Sequence, residues 1–163
     1  TYSPLYREWS WYSQPRLQRK ATWSEPFVAE GGGNVPMLTY SVPIERQGTF
    51  IGVVTADLSL DYFQVLESWL GQLRMGRAGY AFVVSGTGTF ISHPDPTCRL
   101  PRKITEVRPF QEDESLRTLW QRMQENKEEG HIVAVDPWTG QPATFSFAPV
   151  PSALWSLVIV VEE

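Results

Sequence analysis

The sequence predicts an α+β protein built on a five-stranded antiparallel sheet with flanking helices, preceded by a partial second unit of the same kind. Three observations carry that prediction. Between Phe50 and Pro94 an apolar strand, GVVTADLSL, runs through a helical stretch into a Gly-rich hairpin, GYAFVVSGTGTFISHPD. From Gly79 onward the order is two strands, a helical excursion and three strands in a meander. Gly, Pro, Asn and Asp punctuate each junction, as tight turns require. A helix leading into a curved antiparallel sheet makes concave pockets for small molecules, so this order points to sensing rather than catalysis.

The elements follow in chain order. Residues 1–36 are rich in aromatics, Pro and Gly without a sustained period, which predicts a short helix and loops. Met37–Ile44 alternates and Phe50–Leu58 is apolar, with Gln47-Gly48 between them, so the pair predicts a hairpin whose second strand buries Val53, Val54 and Ala56. A linking helix is expected over residues 59–75, with Ser59 as cap, Asp61 near the positive end of its dipole, and Phe63, Leu66, Leu70 and Leu73 on one stripe. Tyr80, Phe82 and Val84 share a face of the next strand, Gly86-Thr87-Gly88 supplies the turn, and Thr89–His93 returns. Pro94–Pro109 reads as a long loop. A second helix opens near Asp113–Ser115 and buries Leu116, Leu119, Trp120 and Met123, fraying before Gly130. Strands at His131–Asp136, Ala143–Ala148 and Trp155–Glu162 complete a PAS-like order.

Composition narrows the function classes. A chain of 163 residues with net charge −4 holds one ordinary core or two small ones and lacks the clustered cations of a nucleic-acid surface; Arg16/Arg19/Lys20 and Arg99/Arg102/Lys103 read as solvated loops. Cys98 is the single cysteine, so no internal disulfide forms. The longest strictly apolar run, Leu157–Val161, is far short of a membrane span, which needs roughly 20 residues. The start without Met and the last strand stopping at Glu162 and Glu163 give the look of a piece of something longer.

Several words in the chain, taken together, resemble the double Cache sensor domains of bacterial membrane receptors. They are Trp11-Tyr12 followed by Pro15, Trp23-Ser24-Glu25-Pro26-Phe27, Thr39-Tyr40-Ser41-Val42-Pro43, the strand GVVTADLSL and the hairpin after Gly79. The resemblance implies a partial membrane-distal subdomain over 1–57 and a membrane-proximal PAS-like subdomain over 58–163. It implies an extracytoplasmic, periplasmic location, a membrane helix following this chain, an output such as a histidine kinase or serine phosphatase, and a homodimer. The rival expectation is a cytoplasmic PAS-like module that associates with proteins and binds no ligand.

The expected ligand-binding residues are Trp11, Tyr12, Trp23, Phe27, Tyr40 and Asp57. Asp57 either faces a pocket and receives an amine or hydroxyl, or pairs locally at its strand end. The five aromatics form a wall for an organic cation or sugar, or else the packing of a loop-rich subdomain. Amino-acid-binding relatives carry an Arg two positions before the Trp-Tyr pair, a Tyr and an acid around the WSEP word, and an Asp in the late strand. Here Trp9, Phe27 and Ala29 replace the first three, although Arg7 lies close. Without a guanidinium fork the resemblance predicts that common α-amino acids are not the ligand.

No cofactor or metal is expected. His93 ends its strand with a backbone bond, and His131 has no companion ligands at useful spacing. Gly31-Gly32-Gly33-Asn34 lacks what a phosphate cradle needs after it. Tyr80 and Asp136-Pro137-Trp138 either line a proximal pocket or serve as sheet and turn structure. No catalytic motif is present, and a hydrolase using Asp57 lacks a nominated partner.

Overall fold

The computed structural model describes residues 4–28, 34–63, 79–98, 102–125 and 128–163. The chain divides into two compact units, Thr1–Ser59 and Leu60–Glu163.

In the first unit a short 3-10 turn (Pro4–Glu8) leads to helix α1 (Ser10–Gln18), which ends where Arg19 turns left-handed at φ 54° and its N–H returns to the Pro15 carbonyl. The long hairpin β3 (Pro36–Arg46) and β4 (Thr49–Ser59) forms the sheet, and two short pieces, β1 (Thr22–Trp23) and β2 (Phe27–Val28), pair antiparallel with the other side of β3. Arg46 opposes Thr49, leaving the two-residue loop Gln47-Gly48 with φ of 51° and 76°. Positive φ at both positions matches the twist of the flanking strands.

The expectation of a buried second strand is corrected here. Among the described residues β4 pairs with β3 alone and stands at the sheet edge, so Val54 is 60% exposed, and Ala56 and Asp57 are exposed as well. Hydrophobicity read as burial had assumed a neighbour on both sides. A register shift between Ile44 and Glu45, where Glu45 opposes Phe50, leaves Ile51 as an extra residue on β4.

The second unit carries β5 (Gly79–Val84), β6 (Phe90–Ser92), β7 (Gly130–Val135), β8 (Pro142–Val150) and β9 (Trp155–Glu162). Their order, β6-β5-β9-β8-β7, is antiparallel throughout. This is the five-stranded sheet expected from the chain order. Residues 61–63 are helical, and the rest of the expected linking helix lies outside the described residues.

Helix α2 (Pro109–Glu112) leads into α3 (Glu114–Glu125), whose start is capped by Asp113, its Oδ1 accepting from the Leu116 N–H at 3.0 Å. Leu116, Leu119 and Met123 of α3 pack with Phe82, Phe145, Val158 and Val160 of the sheet in one buried core. The stretch 94–109 is more than a loop. It contains 3-10 turns at Pro96–Cys98 and Ile104–Glu106 and sends Cys98, Ile104 and Val107 into the core. Its backbone also supports the hairpin, since Phe90 N–H donates to Arg102 and Ile104 N–H to Gly88. Proline content had marked where helices and strands stop, not where the chain leaves the core.

Gly88 holds that junction. At φ +86° an added Cβ would lie 2.9 Å from the Trp120 ring and 3.0 Å from Ile104. We expect Gly88→Ala to destabilise the protein by about 2 kcal/mol or more, from left-handed strain plus overpacking. Gly52→Ala, in an extended edge strand with nothing within 4 Å of the new methyl, should be near neutral. Urea denaturation followed by tryptophan fluorescence measures both; equal effects would refute the packing argument.

Candidate functional site

Antiparallel pairing places directly opposed residues on the same face of a sheet. In the first unit Phe27 opposes Met37, Thr39 opposes Asp57, and Ser41 is flanked by Thr22 on one side and Thr55 on the other. These residues therefore share one face. The alternate positions, Trp23 against Tyr40, Tyr40 against Ala56 and Val42 against Val54, lie on the opposite face.

Burial varies along both faces: Thr39 and Ser41 are 2% and 0% exposed while Thr55 and Asp57 opposite them are exposed, and on the other face Leu38 is buried while Val42 is 41% exposed. Helix α1 packs along β3 and β4. Its end reaches the first face, because Arg19 bonds to Glu45, which continues the alternation of Thr39, Ser41 and Pro43, and to the Gly48 carbonyl. Tyr12 of the same helix sets its ring edge-on to Phe50, opposite Glu45, at 5.6 Å. Tyr12 also meets Trp11 and Tyr6 edge-on, at 5.9 and 5.1 Å.

Of the six expected site residues, the register places Phe27 and Asp57 on one face, Tyr12 meets that face at Phe50, and Trp11 packs against Tyr12. Trp23 and Tyr40 form their own pair on the other, with centroids 4.9 Å apart. Asp57 is exposed and accepts from the Thr39 hydroxyl at 2.7 Å, with Thr39 steadied from behind by paired bonds to Ser24. Sequence reasoning missed Ser41. Its hydroxyl is fully buried and has no hydrogen-bond partner. The signal was present as Thr and Ser at alternate positions of TYS, facing Thr55 and Asp57 across the hairpin.

The second unit holds a different cluster. Asp136 is fully buried at the end of β7; its Oδ1 accepts from the Tyr80 hydroxyl and the Trp138 N–H, both at 2.9 Å, and its Oδ2 from Thr139 at 3.1 Å. The Trp138 indole N–H points to Cys98 Sγ at 3.1 Å. Burial, and then the adjacent carboxylate, pushes the Tyr80 hydroxyl pKa upward; burial likewise raises the Cys98 thiol. His93 is 1% exposed, packed 4.3 Å from Trp138 and 5.3–5.5 Å from Phe82, Phe90 and Tyr80. Its Nδ1 accepts the Asp95 N–H, so the neutral ring carries its proton on Nε2, which has no partner.

No group of three or more His, Cys, Asp or Glu side chains is gathered for a metal among the described residues. No described helix is long and apolar enough to cross a membrane. A concavity of about 300 Å³ on β7–β9, open to solvent and lined by Glu129, His131, Ser146 and Ile159 among others, involves none of the six expected residues.

The second unit is a PAS-like five-stranded antiparallel sheet, and the hairpin of the first carries a strip of hydroxyl and carboxylate residues on one face. Residues 2–65 match the family model of the methyl-accepting chemotaxis protein-like first PDC sensor domain. Over 99% of its length the chain is 28% identical to methyl-accepting chemotaxis protein PscA of Pseudomonas syringae pv. tomato, of which it spans 23%. The crystal structure of the extracellular domain of mmHK1S-Z3, described as a histidine kinase, superposes with TM-score 0.81 at 26% identity, over 99% of this chain and 56% of that one. The ligand-binding domain of the Pseudomonas aeruginosa amino-acid chemoreceptor PctB, in complex with L-Gln, gives TM-score 0.68 at 27% identity, over 99% of this chain and 59% of that one. Over residues 2–65 the chain thus matches a PDC-type sensor domain, over 99% of its length it shares the fold of these extracellular and ligand-binding domains, and the proteins it resembles are sensors.

One expectation is overturned by these likenesses. Common α-amino acids had been excluded because Trp9, Phe27 and Ala29 replace a guanidinium, a phenol and an acid. PctB, similar along essentially the whole chain, is in complex with L-Gln in one structure and with L-Arg in another. The exclusion treated the guanidinium as indispensable, yet hydroxyl and backbone N–H donors also satisfy a carboxylate.

Burial among the rings pushes the His93 pKa down to about 4. The unfolded chain then takes up this proton near pH 6.5 and the folded one does not. Stability attributable to His93 is therefore complete above pH 6.5 and falls as the pH drops toward 4, by about 3 kcal/mol. Chemical denaturation between pH 7 and 4 should show this slope, and His93→Phe should flatten it; an unchanged slope refutes the assignment.

Proposed function

We propose that this chain is the ligand-sensing part of the extracytoplasmic region of a transmembrane receptor, with residues 1–57 in a membrane-distal subdomain and 58–163 in a membrane-proximal one. The supporting observation is the likeness over 99% of the chain to the extracellular domain of mmHK1S-Z3 and to the PctB ligand-binding domain. Because the matched portions of the relatives are extracellular sensor regions, the cytoplasmic alternative finds no support. The chain binds without turning its ligand over, and the response belongs to the rest of the receptor.

The ligand class we propose is an amine-bearing metabolite of the amino-acid kind. Asp57 supplies the anion for the ammonium, held toward it by Thr39, while Trp11, Tyr12 and Phe27 provide the apolar and cation-attracting surroundings. Trp23 and Tyr40, on the opposite face, pack the sheet. Capture biases the receptor only by the ligand's difference in affinity between two states of the domain.

Titration calorimetry of the purified chain against the twenty common L-amino acids tests this. At least one should bind in the micromolar range, and Asp57→Asn should weaken it about 50-fold or more while leaving the melting temperature almost unchanged, because Asp57 is exposed. Absence of binding across the panel would remove the reading.

A further inference from the structure

We infer that Ser41 contacts the ligand, and that this site reads the group opposite the ligand's amine with neutral hydroxyls rather than a fixed cation, so that a carboxylate and its carboxamide are accepted nearly alike. This rests on the reading of Asp57 above.

The buried hydroxyl is the starting point. Ser41 Oγ is inaccessible and makes no hydrogen bond. Such a group costs about 1–3 kcal/mol, and Ala would fill the same space without that cost. An unsatisfied group of this kind calls for an explanation. Its surroundings supply one. Thr22, Ser41 and Thr55 lie side by side on three adjacent strands, forming a row of hydroxyl residues across the sheet. Two residues along β3 comes the pair Thr39 and Asp57 on the same face. Rows two residues apart are separated by roughly 7 Å. A small molecule whose amine sits at Asp57 can therefore place its second polar group at Ser41.

The charge of that second group is set by what stands near it. Arg19 reaches this face but is committed to Glu45 and to the Gly48 carbonyl. Trp9, which replaces the guanidinium of amino-acid-binding relatives, is 40% exposed and packs edge-on against Trp11. A hydroxyl donates to a carboxylate oxygen or an amide oxygen with similar geometry, and the nearby Asp57 carboxylate disfavours a further negative charge. Helix α1 packs along β3 and β4. It has nine residues, no side-chain bond at its N-cap and an internal Pro15, so it has little stability of its own.

The experiment is calorimetry of each common L-amino acid and its carboxamide against the chain and its variants Ser41→Ala, Ser41→Cys and Asp57→Asn. For an amino acid that binds, the amide should bind within about fivefold, and both Ser41 variants should weaken the two compounds about three- to tenfold, the size of one neutral hydrogen bond. Ser41→Ala should also raise the melting temperature of the ligand-free chain. An amide more than about 50-fold weaker than its acid, as a fixed cation would require, overturns the inference alone. So does unchanged affinity in both variants, or a lowered melting temperature in Ser41→Ala, which would make the hydroxyl structural. Asp57→Asn binding as tightly as the parent overturns the Asp57 reading instead, and no binding by any amino acid removes both.

Discussion

The two-residue pleat of the β3–β4 ladder is the constraint on which the candidate site of the first unit depends. With Thr39 fixed opposite Asp57 by the register, every second residue of both strands is assigned to one face, and a slip by one position would exchange the entire polar strip for Tyr40, Val42 and Val54. The two-residue turn at Gln47-Gly48 sets that register at one end. The Thr39 hydroxyl, donating to Asp57, spans the two strands at the other. The aromatic words and the acidic residue acquire their meaning from this alternation rather than from closeness in sequence.

Much of the architecture was legible because it is local. Gly and Asp mark the turns of the second unit, the spacing of Leu116, Leu119 and Met123 marks its helix, and the strand order after Gly79 leaves few ways to close a sheet. What escaped is what depends on neighbours far along the chain. The apolar run of β4 reads as buried, yet burial requires partners, and the edge position that exposes Val54 is a property of the sheet. Ile104 and Val107 sit among prolines and charges, and their place in the core follows from backbone bonds to the Gly88 hairpin that no periodicity records.

The candidate site was legible by halves for the same reason. Asp57 and Phe27 were named from their words, and the face they share follows once the register is known, whereas Tyr12 meets it through its ring contact with Phe50. Trp23 and Tyr40 were grouped with them because aromatic residues look alike in a sequence, while the pleat sends them to the other side. Ser41 was passed over because serine in a strand carries no signal until its burial is known.

The two units show opposite treatments of buried polarity, and this separates structure from site. Asp136 is fully enclosed but accepts three hydrogen bonds, so its network orders the β7–β8 turn and leaves nothing for a ligand. The unpartnered Nε2 of His93 is a closer comparison with Ser41. It lies inside a box of Tyr80, Phe82, Phe90 and Trp138, where ring faces and edges offer the proton weak compensation and where the other ring nitrogen is already fixed by Asp95. Filling that box with a ligand would require displacing Trp138, held through its backbone by Asp136 and through its indole by Cys98. Ser41 instead shares its face with further hydroxyls and an exposed carboxylate, on a sheet against which a nine-residue helix with no side-chain cap packs. An unmet hydrogen bond is a candidate binding determinant when polar groups converge beside it and part of its face is open to solvent, and the first unit meets both conditions.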